Sequence, residues 1–221
     1  MKNKLGCILI LSLVSTLPLA VSADDLSKTY FSAGMMSITD KGLDELKGTG
    51  VTIDDSDTVA NFSLGYKVSP SVALEGSIIS GGEVSASLSG DESGTFHGKT
   101  YSASGTVTVK AKTDTSYLFG LKYSDSGKIG PFPLTVNVKV GQLFWDVDYI
   151  ASASGTITYG GTTYSGSITE TLLAVDGSDL YFGIGMSYEL SNNSSIDLDY
   201  ISTEINGSDI NGYSLSWVGN F

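Results

Sequence analysis

The chain has 221 residues, one Cys, no Arg and a formal net charge of −12. Such acidity excludes binding driven by neutralisation of nucleic-acid phosphates. A single Cys excludes an intramolecular disulfide framework, so the fold must be held by packing and hydrogen bonds.

The N-terminus reads as a leader. Lys2 and Lys4 precede an apolar run from Cys7 to Val21, and small residues, Val21-Ser22-Ala23, close it. A basic start, a short apolar centre and small residues before the cut predict a secretory signal peptide, residues 1–23, cleaved after Ala23. The run is too short for a stop-transfer helix. Cys7 opens the run and does not follow it, which disfavours a lipoprotein site. Loss of the leader removes the only Cys and two of the 12 basic residues while keeping all 24 acidic ones. Residues 24–221 are predicted to form one all-β domain that needs no cofactor.

Period-2 alternation runs through that domain. The first strand, TYFSAGMMSI, puts Phe31, Ala33 and Met35 on its apolar face. In ANFSLGYKV the apolar row is Ala60, Phe62, Leu64, Tyr66 and Val68. After Ser69-Pro70 it restarts with Val72, Leu74, Gly76 and Ile78. SYLFGLKY gives Tyr117, Phe119, Leu121 and Tyr123, and LTVNVKVG gives Leu134, Val136, Val138 and Val140. LYFGIGMSYEL carries Leu180, Phe182, Ile184, Met186, Tyr188 and Leu190; SIDLDY carries Ile196, Leu198 and Tyr200. The chain ends on Tyr213, Leu215, Trp217, Gly219 and Phe221. Every Lys, Asp and Glu of these stretches falls on the opposite face.

Eight such strands fit a sandwich as well as a barrel, and three features choose. The polar face is rich in Gly and Ser, as a narrow lumen requires. Connections alternate between short turns (69–71, 125–132, 191–194) and long polar segments (39–57, 88–105, 151–176), a habit of outer-membrane barrels. Tyr66, Tyr123, Tyr188, Trp217 and Phe221 gather near the short-turn rim like an interfacial girdle. The predicted fold is an eight-stranded antiparallel up-and-down transmembrane β-barrel with short periplasmic turns and long extracellular loops.

FSLGYKVSPSVALEG, YFGIGMSYELSNNSSIDLDY and the terminal Tyr213-x-Leu215-x-Trp217-x-Gly219-x-Phe221 resemble the eight-stranded outer-membrane barrels of the outer membrane protein A and outer membrane protein X type. The resemblance implies residence in the outer membrane among lipid and lipopolysaccharide. It implies that Tyr213, Leu215, Trp217 and Phe221 are read by the barrel assembly machinery, and it leaves the role open. No periplasmic domain is expected after the barrel, so peptidoglycan anchoring is not implied.

Residues 98–124 and 161–187 align without gaps, as variations on one unit. Tyr101, Ala103, Gly105, Val107, Val109 and Ala111 prolong the alternation far past what a bilayer needs. This predicts a β-sheet projecting outward from the second and third loops, similar to outer membrane protein X. A projecting edge can accept a strand from an extracellular protein, which makes adhesin-like binding the expected role; a small porin-like channel is the alternative. Inside the barrel, Lys67, Lys122 and Lys139 face Glu75, Glu189, Asp197 and Asp199, and buried charges must pair, so a salt-bridged plug is expected. His97 is the sole His and lacks partners spaced for catalysis or metal binding. Asp54, Asp55 and Asp57 lack the spacing of a calcium loop. The reading is therefore of a monomeric barrel without enzymatic activity.

Overall fold

Alternating side chains make a strand two-faced, and lateral pairing of such strands leaves edges that must be closed in a lipid solvent. The computed structural model describes residues 28–125 and 134–221; the predicted leader and cleavage site, and most of the predicted turn at 125–132, lie outside these. The strands are β1 (Thr29–Asp40), β2 (Thr52–Asp54), β3 (Ser56–Ser69), β4 (Val72–Ile79), β5 (Glu83–Phe96), β6 (Lys99–Thr113), β7 (Ser116–Asp125), β8 (Leu134–Tyr159), β9 (Thr162–Ser191), β10 (Ser194–Ile205) and β11 (Ser208–Asn220).

Antiparallel pairings join β1, β3, β4, β7, β8, β9, β10 and β11 in turn, and β11 returns to β1. The sheet therefore closes on itself as an eight-stranded barrel. At the seam Phe31 lies opposite Gly219 and Met35 opposite Leu215. Neighbours in sequence point to opposite sides: Met35 is 61% exposed and Met36 3%, Phe182 60% and Tyr181 2%. The first strand thus faces as its sequence predicts, with Phe31 and Met35 outward. A water-soluble barrel would reverse this order of exposure, whereas lipid makes a continuous apolar exterior favourable.

Beyond the barrel, β5, β6 and the upper halves of β8 and β9 form a four-stranded sheet, with β2 on the outer edge of β5. Residues 147–159 of β8 alone add about 40 Å of strand at roughly 3.3 Å per residue. The segments 88–105 and 151–176, expected as loops that carry some strand, are strand almost throughout. Their tips close in two-residue turns, His97-Gly98 and Gly160-Gly161, with positive φ at both residues. Such turns match the twist of a hairpin, and glycine supplies the left-handed position without strain. Asn206-Gly207 closes β10–β11 in the same way, so that outer connection is a tight turn and not a long loop. The remaining outer loop, after β1, contains a 3-10 turn, Lys41–Leu46, capped by Asp40 accepting from the Gly42 amide at 2.8 Å. There Lys47 bonds both Asp44 and Asp55 at 2.6 Å, and the Lys47 hydrogen bond holds Asp44 below the ordinary carboxylate range.

The alternation does not carry through the fourth strand unbroken, as the sequence suggests. Asp114 and Thr115 interrupt it, so Ala111 and Leu118 both turn inward although their numbers differ in parity. In β9 a bulge does the same: Tyr149 faces Leu173 while Ile150 faces Thr171, leaving Leu172 unopposed. The two repeat units therefore share a built-in change of face at the barrel rim.

Candidate functional site: a layered lumen under a projecting sheet

The lumen has three storeys. At the short-turn end a polar cavity of about 240 Å³ is lined by Lys67, Ser124, Asn137, Ser187, Glu189 and Asn220 among others. Asn137, fully buried, accepts from Ser124 Oγ at 2.8 Å and donates to Ser187 Oγ at 2.7 Å. Next comes a charged layer. Lys139 Nζ lies 3.0 Å from Glu75 Oε1 and 2.9 Å from Asp199 Oδ2, and Lys122 Nζ lies 2.8 Å from Asp197 Oδ2. Tyr30 donates to Glu75 Oε2 at 2.8 Å, Ser195 donates to Asp197 Oδ1 at 3.1 Å, and the Lys122 ammonium stands over the Tyr30 ring at 5.4 Å. All five charged groups are buried. The carboxylates of Glu75, Asp197 and Asp199 outnumber the two ammonium groups, and Asp199 Oδ1 has no hydrogen-bond partner among the described residues.

Two of the predicted lumenal charges stand apart from this layer. Lys67 reaches Asn220 Oδ1 at 2.9 Å, across the seam rather than toward a carboxylate. Glu189 is exposed at the short-turn mouth. The next inward position up β9 is Ser187, and Glu189 is already level with the rim, where water solvates it at no cost.

The third storey is apolar, unlike the salt-bridged plug that the inward charges predict. Met36, Val59, Leu118, Leu143, Trp145, Val147, Tyr181 and Ile201 form one buried apolar cluster inside the outer half of the barrel. The stretch LFWDVDY announces it: continuing the parity of Asn137 and Lys139 along β8 puts Leu143, Trp145 and Val147 inward. Large inward rings meet small neighbours. Tyr30 faces Gly65, Tyr181 faces Gly141 and Trp145 faces Gly177 across their strand pairs. A Cβ on any of these glycines would collide with the facing ring.

Outside, Phe31 packs against Trp217 at 5.2 Å and Phe221 at 5.6 Å between ring centres, covering Gly219 at the seam. Tyr213 lies toward the other rim, 5.0 Å from Tyr200. The C-terminal row thus spans the exterior from girdle to girdle.

The projecting sheet has two unlike faces. Even-numbered residues of β8 continue the lipid-facing side as Ser152, Ser154, Thr156 and Thr158, flanked on neighbouring strands by Ser87, Thr108, Ser167 and Thr169. Hydroxyl pairs link this face across strands, Ser87–Thr108 at 2.9 Å, Ser89–Thr106 at 2.8 Å and Thr158–Thr163 at 2.9 Å. Odd-numbered residues continue the lumenal side, where Leu88, Val107, Ala153 and Ile168 form one row. The β9 edge from Thr162 to Asp179 pairs with β8 on one side only; β10 joins β9 from Tyr181 downward.

His97 sits in the β5–β6 turn with its ring 4.3 Å from that of Phe96. Asp55 is engaged by Lys47, Asp57 accepts from the Glu83 amide at 2.8 Å, and Asp54 ends β2. Among the described residues no group of three or more His, Cys, Asp or Glu is arranged to hold a metal.

No protein-family model matches the chain, and neither does any curated protein sequence. Among solved structures, the chain is similar to Ail, the attachment invasion locus protein of Yersinia pestis, in complex with the heparin analogue sucrose octasulfate. The identity is 13% over 87% of this chain and 97% of that one, with a TM-score of 0.41. It is similar to the Neisserial surface protein A at 10% identity, over 88% and 97%, with a TM-score of 0.40. It is similar to the outer membrane protein OprG from Pseudomonas aeruginosa at 11% identity, over 87% and 95%, with a TM-score of 0.47. By its own closed ring of pairings, apolar exterior and polar lumenal charge layer, the chain is an eight-stranded antiparallel transmembrane β-barrel.

Proposed function

We propose that the protein is a surface-presenting barrel of a bacterial outer membrane, which holds a β-sheet outside the bilayer to bind an extracellular protein. On this reading residues 1–23 direct export and are cleaved after Ala23, both ends of the barrel domain are periplasmic, and Tyr213, Leu215, Trp217 and Phe221 are recognised by the assembly machinery. The barrel is a monomer, and its role is binding rather than catalysis.

The observation that carries the reading is the one-sided pairing of β9 from Thr162 to Asp179. An unpaired edge is a template for an incoming strand. Glu170 and Asp176 on that edge select a partner strand with basic residues. The hydroxyl-paved face, standing where the barrel leaves the lipid, suits the sugar layer of lipopolysaccharide. Val84 lies opposite Ala111 and Val147 opposite Val175 at the foot of the sheet, so a cut there removes all of the edge except residues 175–179. Joining residues 84 to 111 and 147 to 175 through Asn-Gly turns should leave a heat-modifiable, folded barrel while binding of expressing cells to immobilised host or matrix protein falls at least tenfold. Adhesion equal to that of the intact protein would remove the proposal.

Channel activity is the other function such a barrel can have, and the charge layer speaks against it. Glu75, Lys139 and Asp199 are paired and buried across the lumen. Purified protein in planar bilayers should show no steady conductance; a sustained open level would favour the channel.

A further inference from the structure

Above the charge layer the lumen holds a cavity of about 100 Å³ lined by Met36, Leu118, Leu143, Val147, Tyr181 and Ile201. Its walls are mostly apolar; its charged groups are Asp40 and Glu83, and its hydroxyls include those of Ser116, Thr203 and Ser208. Ser208 already donates to Asp40. Below it lies the layer in which Lys139 pairs with its two carboxylate partners across the lumen. The odd-numbered side of β8 carries the same apolar surface outward along the projecting sheet, so the cavity opens toward the outside. It is a blind pocket and not a passage.

We propose that this pocket is a receptor site for the alkyl end of a small neutral or cationic amphiphile arriving from the external medium. The chemistry follows from the walls. Apart from the hydroxyls of Ser116 and Tyr181 the inner walls are apolar, so a strongly polar ligand would leave most of its lost water unreplaced, and burying an unpaired polar group is costly. An apolar cavity of about 150 Å³ admits benzene and stays free of water. This one is smaller, so it takes the last few carbons of a chain in preference to a ring. The mouth bears Asp40, and Glu83 held by Lys110 at 2.6 Å, so a hydroxyl or amine head is accepted beside Asp40 and a carboxylate head is repelled there. The site does not depend on the β9 edge: one binds small molecules within the lumen, the other a protein strand outside it.

Three methionines of the described chain provide the test, because Met36 lines the cavity while Met35 and Met186 face lipid. With methyl-¹³C methionine in lipid nanodiscs, 1-hexanol should shift the Met36 methyl resonance along a saturating curve. Met35 and Met186 should drift only in proportion to the alcohol dissolved in the bilayer. 1,6-Hexanediol and hexanoate, at equal concentration, should move Met36 at least fivefold less. Ala111→Phe, placed at the cavity wall, should abolish saturation. A Met36 signal that merely tracks Met35 and Met186 in the unmodified protein would overturn the proposal, and so would equal responses to hexanol and hexanediol. Both readouts stand even if the Ala111 variant fails to fold.

Discussion

Lys139→Met should be among the most damaging single substitutions in the barrel, lowering its unfolding free energy by about 3–5 kcal/mol, the usual cost of breaking a buried ion pair from one side. Lys139 is the only ammonium in direct contact with Glu75 and Asp199 among the described residues. Its loss leaves two buried carboxylates facing each other with one phenol donor, Tyr30, between them and the lipid-enclosed interior. Urea titration of the protein folded in vesicles, followed by Trp fluorescence, measures the effect. The triple variant Glu75→Leu, Lys139→Met, Asp199→Leu should recover most of that loss, because removing every charge together also removes the desolvation cost. Asp199→Asn should cost less than Lys139→Met. The layer holds one carboxylate more than it has ammonium groups, and Asp199 Oδ1 has no partner among the described residues to lose. If Lys139→Met unfolded at the same urea concentration as the unmodified barrel, the layer would be solvated and the lumen open to water.

What could be read from the residues beforehand follows from the period of a strand. Outward rows such as Phe182, Ile184, Met186 and Tyr188 are legible because lipid makes one uniform demand on a whole face. Inward positions answer to individual neighbours. The charges Lys122 and Asp197 are visible in the sequence, but their union depends on strands that lie 75 residues apart in the chain and meet only through the barrel's shear. Glu189 has the right parity and the wrong height: parity gives the side of the wall, and only register gives depth. The apolar cluster escaped because Leu143, Trp145 and Val147 look like a lipid-facing row unless the parity of Asn137 and Lys139 is carried forward. The changes of face at Asp114-Thr115 and at Leu172 are local irregularities. Strict alternation cannot signal them, and in the gap-free alignment of the two repeats they fall at different positions.

Ile184→Arg supplies the opposite contrast to the lumenal variants. Ile184 lies midway along the outward row of β9, from Leu180 to Leu190, and is 57% exposed on the barrel exterior. In lipid, an arginine at the midplane costs about 2–4 kcal/mol, and the cost falls to about 0–1 kcal/mol near the interface. Leu190→Arg, at the short-turn rim and similarly exposed, should therefore be nearly silent. A protein surrounded by water would tolerate both changes alike, since surface substitutions usually stay within about 0.5 kcal/mol. The difference between the two variants, measured by folding into vesicles, isolates depth from chemistry because the introduced side chain is the same. The same reasoning forbids the cleaved chain from folding to a monomer in plain buffer. Water would face Leu64, Phe119, Phe182 and Leu215 all round the ring, and a patch that large drives association. Equal costs for the two arginines, or a soluble folded monomer, would mean that the exterior row is covered by something other than lipid.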